Sequence, residues 1–268
     1  MKISEIWIYP VKSLAGISLL TAQVQAKGLQ YDRRWMLVDT LGTFISQRTY
    51  PQLALLDVTL HKAHLEVTYR PDPFKNISIP FIPVTNQRMQ VSVWDSNDIS
   101  ARTVSDEADR WFSDFLGKKV HLVHMAEDSQ RAVNPKYAKE GDVVGFADGY
   151  PYMLISEASL SDLNARLPEM VLMNRFRPNF VVAGTAPFAE DKWLDIQIGN
   201  VRFDVVKPCS RCVMVTIDQE TMQKSPEPLK TLATYRKVGH KIMFGQNLIN
   251  RQTGNISVGD PVDVLLQK

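Results

Sequence analysis

Short apolar runs, each closed by glycine or proline, dominate this sequence and limit what it can fold into. In the first part of the chain they span 3–9, 18–26, 34–39, 53–60, 64–69, 89–94 and 98–104. Between them lie Gly16, Gly28, Gly42, Pro71, Pro73, Pro80 and Pro83. This spacing is typical of a β-sandwich or β-barrel. Further strands are predicted at 179–183, 194–198, 201–206, 213–217, 241–244 and 256–266, so the class is mainly β with a few helices.

Three helices and one long loop interrupt this pattern. A helix is predicted over 106–116, because Ser105 is a good N-cap and Gly117 a good C-terminal stop. Others are predicted over 157–167, after Ser156, and near 228–237. The segment 126–151 is rich in charge and glycine, and a loop of that length inside a compact domain is usually a functional lid or disordered.

Composition excludes several classes of protein. Lys and Arg number 31 against 29 Asp and Glu, which gives a net charge of +2. That balance provides no general field for nucleic acid or a membrane surface. Glu5 and Pro10 interrupt the amino terminus where a secretory signal needs an unbroken apolar stretch. With no apolar run of about 18 residues, we expect a cytoplasmic protein.

The only two cysteines, Cys209 and Cys212, lie together at the end of an apolar run. Lys207 and Arg211 flank them, and nearby cations favour the thiolate. Four interpretations remain open: a redox pair, half of a zinc site, a thiolate ligand to a softer metal, or two buried apolar side chains. The predicted strand at 213–217 argues against a redox pair, which should open a helix. The histidine pairs His61/His64 and His121/His124 are expected to point to opposite faces of strands, which weakens the zinc interpretation.

Several cations stand at predicted strand ends, where loops deliver functional groups. They are Lys12 beside Ser13, Arg33, and Arg175 and Arg177 before Asn179. Arginine binds phosphate oxygens with two parallel hydrogen bonds, and hydroxyl groups complete such a site. With the cysteines, these residues predict a pocket for an anionic ligand that also offers a soft metal ligand.

Seven segments resemble the MOSC family, the C-terminal domain of molybdenum cofactor sulfurases. They are Ile8–Ser13, Tyr31–Arg33, Leu154–Leu160, Phe176–Asn179, Cys209–Cys212, Phe244–Asn247 and Val258–Pro261. Within that family the chain looks most like the mitochondrial amidoxime reducing component and its bacterial relatives. The resemblance implies a β-barrel-type MOSC domain at 126–268, an N-terminal β-rich domain at 1–104, and a connecting helix and strand at 105–125.

The resemblance also implies a molybdopterin cofactor, with Cys212 as the catalytic thiolate ligand of molybdenum and Cys209 as a supporting thiol. Cofactor-binding positions carried over from the family are Lys12, Ser13, Arg33, Gly149, Tyr150, Arg177, Asn179, Ser210, Arg211 and Asn247. The mitochondrial relatives have Thr-Ser in place of Gly149-Tyr150 and Tyr in place of Asn247, so these three are the least secure. Soft thiolates suit such a metal and cations suit the cofactor phosphate.

By the same resemblance the chain is expected to be a molybdenum-dependent oxidoreductase. It would reduce N-hydroxylated compounds such as amidoximes, hydroxylamines or N-hydroxylated bases. The sequence has no cysteine after Cys212, and an iron-sulfur cluster needs four. Electrons are therefore expected from a separate flavin reductase with a ferredoxin or cytochrome partner. The alternative is a protein that binds or carries the molybdenum cofactor or its sulfur without turnover.

Overall fold

A computed structural model describes residues 1–126 and 128–268 of the chain. Its strands are β1 (Lys2–Ile8), β2 (Ile17–Leu19), β3 (Thr21–Gln25), β4 (Gly28–Leu29), β5 (Trp35–Val38), β6 (Leu56–Leu60), β7 (His64–Tyr69), β8 (Asn76–Pro80), β9 (Arg88–Val93), β10 (Ser96–Thr103), β11 (His121–Met125), β12 (Tyr152–Ser156), β13 (Phe180–Ala183), β14 (Trp193–Ile198), β15 (Val201–Arg211), β16 (Lys237–Val238), β17 (Lys241–Asn250), β18 (Gly254–Ser257) and β19 (Val262–Gln267). The α-helices are α1 (Asp106–Leu116), α2 (Glu157–Asn164) and α3 (Leu229–Tyr235). Strand makes up 42% and helix 16%, which confirms a mainly β protein.

The largest sheet joins both ends of the chain. Its strand order is β19-β14-β15-β17-β12-β13-β1-β2, with β16 on β17. Within it β12 and β13 run parallel, whereas β1 is antiparallel to β13. The third strand also reaches the C-terminal part, because β3 pairs with β18. The boundaries 1–104, 105–125 and 126–268 stay a prediction, and strand pairing crosses them.

Three smaller sheets complete the architecture. Their orders are β5-β11-β10-β9, β18-β3-β4 and β6-β7-β8. Helix α1 confirms its prediction, because Ser105 accepts from the Ala108 amide at 3.1 Å and Gly117 adopts φ 63°. Ala108, Phe112 and Leu116 of this helix are buried in a core shared with strands β5, β11, β6, β7 and β8. No helix among the described residues is long and apolar enough to cross a membrane.

Several predicted elements differ from the structure. Strands β8 and β12 were not predicted, and β12 follows the long loop directly. The predicted runs 18–26 and 256–266 each divide into two strands, and Pro51–Leu55 is a short 3₁₀ helix before β6. Helix α2 ends at Asn164, three residues earlier than predicted.

The most consequential error concerns the segment after the cysteines. Val213–Thr216, predicted as strand, is a 3₁₀ helix with Cys212 at its N-cap position. A β-branched run favours a strand only when another strand lies beside it, and here only Ile217 forms an isolated bridge, to Lys224. Val215 and Thr216 are instead buried.

Candidate functional site

A pocket holds every site residue that the sequence predicted. It is a cleft open to solvent, and the space between its walls, open solvent included, is about 900 Å³. The predicted residues in its lining are Lys12, Ser13, Arg33, Gly149, Tyr150, Arg177, Asn179, Ser210, Arg211, Cys212 and Asn247. Residues more than 200 positions apart therefore meet at one place. What these residues bind stays a prediction.

The two cysteines have different surroundings. Register shifts on either side of Pro208 bend the end of β15, which is how bulges commonly re-aim side chains near a site. Cys212 is exposed, whereas Cys209 packs against the apolar cluster around Phe176 and Phe244. Burial raises the pKa of the Cys209 thiol, although Arg211 opposes the shift. The expectation that flanking cations favour a thiolate at both positions is therefore wrong for Cys209.

Two arginines that line the pocket lie over the ring of one buried tyrosine. The guanidinium carbons of Arg33 and Arg177 are 4.3 and 4.1 Å from the centroid of the Tyr9 ring. Burial raises the pKa of Tyr9 to about 12, and its hydroxyl has no hydrogen-bond partner among the described residues. Arg33 is paired with Asp32 at 2.6 Å. Burial lowers the pKa of Arg177 to about 10, so it remains charged at neutral pH.

Those two arginines and Ser13 share an unusual backbone conformation. Their φ angles are 72° at Ser13, 48° at Arg33 and 55° at Arg177. Non-glycine residues adopt this left-handed region uncommonly, and such strain concentrates at functional sites. The backbone conformation at these three positions costs stability, and it places three polar side chains in one pocket.

Lys12 and Arg131 hold the end of the long loop against the pocket. Lys12 Nζ donates to the Phe146 carbonyl at 2.9 Å and to Asp148 at 2.5 Å. Buried Arg131 donates to the carbonyls of Gly145, Ala147 and Asp148 at 2.8, 2.5 and 2.9 Å. The segment 145–150, predicted as part of a lid, is therefore fixed to the pocket by charge-assisted hydrogen bonds.

Burial and pairing act in opposite directions on the pKa values of Lys12 and Asp148. Burial lowers the pKa of Lys12, and the carboxylate of Asp148 opposes that shift. Desolvation by the pocket walls disfavours ionised Asp148, but the charge and hydrogen bond of Lys12 and a hydrogen bond from Trp94 outweigh it, so the pKa of Asp148 lies well below its usual range.

Some predicted ligand-binding side chains are occupied by the protein itself. Asn179 donates to the Trp7 carbonyl at 3.1 Å and accepts from the Met153 amide at 3.2 Å. Arg211 donates to the carbonyls of Phe244 and Phe176 at 2.8 and 2.9 Å. These two side chains tie pocket segments together. By contrast, the hydroxyls of Ser13 and Ser210 have no hydrogen bond within the described part of the chain.

Sequence reasoning missed several lining residues, namely Ser46, Arg48, Asp148, Tyr152, Met153 and Met214. Arg48 lies nine residues beyond the predicted strand 34–39, so its position in the sequence does not mark it. Asp148 lies in the middle of the long loop, where only its three-dimensional pairing with Lys12 marks it.

The histidine pairs make no metal cluster. Within residues 1–126 and 128–268 no group of three His, Cys, Asp or Glu side chains is placed to hold an ion. His61 and His64 do not point apart as predicted, because they flank the β6–β7 turn and their rings stack at 4.6 Å. His121 contacts Asp109, and His124 packs on Trp35.

Fold and pocket together define a two-part β protein with a thiol at the edge of a basic cleft. Residues 1–119 match the family model described as MOSC N-terminal beta barrel domain. Residues 141–263 match the MOSC domain.

Three similar proteins show to which family the chain belongs. Mitochondrial amidoxime-reducing component 1 of Mus musculus is 35% identical over 99% of this chain and 82% of its own length. The human protein of that name is 34% identical over 99% and 83%. Molybdenum cofactor sulfurase of Oryza sativa is 31% identical over 91% of this chain but only 32% of its own length. The chain therefore belongs to the MOSC family, in the group that contains the amidoxime-reducing components.

Proposed function

We propose that this protein is a molybdenum-cofactor-dependent reductase of N-hydroxylated compounds. The observation that carries the proposal is the pocket itself, which brings exposed Cys212 together with Lys12, Arg33 and Arg177. Full-length similarity to proteins named amidoxime-reducing components supports this reaction class. Two electrons and two protons would convert each N–OH group to N–H and water.

The residues present fit a molybdopterin. Cys212 offers a soft ligand for the metal, which the neighbouring Cys209, half-buried and with a raised pKa, offers poorly. The hydroxyls of Ser13 and Ser210 and the guanidinium of Arg177 have unused donors for a phosphate. A side chain added at Gly149 would meet no atom within 4 Å, so the backbone there borders open space. When bound, the cofactor would supply the two-electron chemistry that side chains lack.

In the proposed molybdopterin site, the predicted cofactor-binding residues take different roles. Lys12, Arg33 and Arg177 supply positive charge, and Ser13 and Ser210 supply hydroxyl donors. Asn179 and Arg211 act by holding the backbone around the cofactor, because their polar atoms already bind carbonyls and amides. Gly149, Tyr150 and Asn247 contribute through the backbone or the pocket wall. Electrons would come from a separate flavin reductase with a ferredoxin or cytochrome partner, in the cytoplasm.

A second candidate is a protein that carries molybdenum cofactor or its sulfur without turnover. The similarity to molybdenum cofactor sulfurase favours it. The deciding experiment supplies molybdenum-loaded protein with reduced viologen and benzamidoxime, and measures benzamidine. The reductase is expected to release benzamidine over many turnovers. Fully loaded protein without turnover would refute the reductase and leave the carrier.

A further inference from the structure

Arg48 and Trp94 reach from the N-terminal sheets to the mouth of the pocket. Trp94 lies in the turn between β9 and β10, with φ 54° and 47% of its surface exposed. The guanidinium carbon of Arg48, a pocket-lining residue, is 4.1 Å from the Trp94 ring centroid. It is 5.6 Å from the ring of Phe44, which also contacts Lys12. Arg48 is therefore held against an aromatic surface beside the inner basic residues.

Arg48 has no direct carboxylate partner, although its charge acts on nearby Asp148. Lys12, Arg33 and Arg175 of the same pocket are each paired with a carboxylate, whereas Arg177 and Arg211 bind backbone carbonyls instead. Across the described residues no carboxylate lies within 4.0 Å of the Arg48 nitrogens, and its Nε donates only to Ser46 Oγ at 3.3 Å. A guanidinium stacked on a ring keeps its N–H edge free, and that edge matches carboxylate and phosphate oxygens.

Stacking on Trp94 and the bond to Ser46 orient this edge before a ligand arrives. The backbone at Arg48 is held as well. Lys224 Nζ donates to the Arg48 carbonyl at 3.2 Å. A pre-organised side chain loses less entropy on binding, so its contact contributes more affinity.

We propose that Arg48 is a specificity-determining residue that receives an anionic group of the substrate. The inference rests on the proposed reductase function. It names the substrate class as N-hydroxylated compounds that carry a carboxylate or a phosphate-like group, in preference to neutral ones. The N-terminal domain then selects the substrate through its Arg48–Trp94 contact, while the thiol of Cys212 lies on the C-terminal side.

The test compares three substrates on molybdenum-loaded protein with reduced viologen: benzamidoxime, para-carboxybenzamidoxime and para-phosphonobenzamidoxime. For Arg48→Met we expect KM to rise about tenfold for at least one charged compound, as loss of about 1.4 kcal/mol of binding requires. KM for benzamidoxime and all kcat values should stay within about twofold of the wild type. The charged compound whose KM rises more shows whether the Arg48 site prefers a carboxylate or a phosphate-like group. Arg48→Lys should fall between.

The matched control is Arg88→Met, an arginine of β9 that is paired with Asp128 outside the pocket. It should change no KM value. An equal change of KM for neutral and charged substrates would overturn the proposal. So would loss of molybdenum from Arg48→Met, because Arg48 would then contact the cofactor.

A binding measurement separates this proposal from the reductase function. Calorimetry without reductant should show tighter binding of the charged compounds than of benzamidoxime to loaded wild-type protein, and no such difference in Arg48→Met. Equal affinities in the wild type would refute the anion site whether or not turnover is seen. Absence of turnover with this preference intact would refute only the reductase.

Discussion

Gln47 shows how single buried contacts hold the strained residues of the pocket. Its amide donates to the Ser13 carbonyl at 2.7 Å, and it exchanges hydrogen bonds with Gln219 at 3.2 and 3.1 Å. Gln219 in turn donates to the Ile217 carbonyl. This buried pair connects the strand-end turn at Ser13 with the segment that follows Cys212. The positive φ of Ser13 is therefore maintained from both parts of the chain.

Replacing Gln47 with Met should destabilise the protein. The change leaves the buried Ser13 carbonyl and the side-chain oxygen of Gln219 without their donor, which costs about 1–3 kcal/mol. Urea unfolding at pH 7 measures it. Gln90→Met, on an exposed position of β9, is the matched control and should stay within about 0.5 kcal/mol of the wild type. Equal stability of the two variants would contradict this role for Gln47.

Individual site residues could be predicted where a residue of suitable chemistry stands at the end of a predicted strand. Lys12, Ser13, Arg33 and Arg177 were found because cations and hydroxyls at strand ends predict a site. Arg48, Asp148 and Arg131 were missed, because only the fold brings them to Trp94, to Lys12 and to the carbonyls of 145–148. The raised pKa of Cys209 was missed for a similar reason, since burial outweighs the flanking cations only in the fold.

Among the elements, β15 could be predicted in its first half and not in its second. Val201, Phe203 and Val205 alternate with less buried residues, and that period of two is readable from the sequence. From Lys207 onward the register shifts against β17 twice. Such bulges have no simple sequence signal beyond Pro208. The 3₁₀ helix after Cys212 follows from this bend, and β propensity alone predicted it wrongly.

Strand β11 carries a half-buried histidine that we expect to make the protein sensitive to acid. His124 lies opposite Trp35 of β5, with ring centroids 4.8 Å apart. Burial, with the charges of Arg34 and Arg102, lowers the pKa of His124 to about 4. Since the unfolded chain takes up the proton near pH 6.5, it binds more protons than the folded chain between about pH 6.5 and 4. Stability should therefore fall as the pH falls through this range.

The variant His124→Phe tests that sensitivity. It removes the titrating group but keeps a ring on Trp35, so its stability should depend less on pH by up to about 1.4 kcal/mol per pH unit between pH 6.5 and 4. The measurement is the urea unfolding free energy of both proteins at half-unit intervals of pH. Parallel curves would show that His124 does not cause the acid sensitivity.

At the scale of the whole molecule, the two family domains are interleaved. Ile3, Ile6 and Ile8 of β1 are fully buried in the cluster that also contains Phe180 and Phe203. Burial of each of these side chains stabilises the fold by about 1.5–3 kcal/mol. Loss of all three would therefore remove a large part of the roughly 5–15 kcal/mol by which a typical domain is stable against unfolding. The first strand is therefore part of the C-terminal core. The sequence predicted the mainly β class, but not this pairing, because strand order depends on long-range contacts.

A fragment of residues 126–268 is accordingly expected not to fold by itself. Without β1 and β3, strands β13 and β18 each lose a hydrogen-bonded neighbour. The apolar cluster that contains Phe180 and Phe203 is then exposed to water. Circular dichroism during urea titration should show no cooperative transition, in contrast to the full chain under the same conditions. A sharp transition of the fragment would show that the C-terminal domain is independent of the first strands.

We propose that Cys212, and not Cys209, is the thiolate that holds molybdenum in this pocket. The most direct measurement is X-ray absorption at molybdenum, with metal content, for the wild type and for Cys212→Ser and Cys209→Ser made in a host that synthesises molybdopterin. We predict that Cys209→Ser keeps the wild-type metal–sulfur signal and that Cys212→Ser loses the protein thiolate from it. Loss of that signal in Cys209→Ser with its retention in Cys212→Ser would contradict the account.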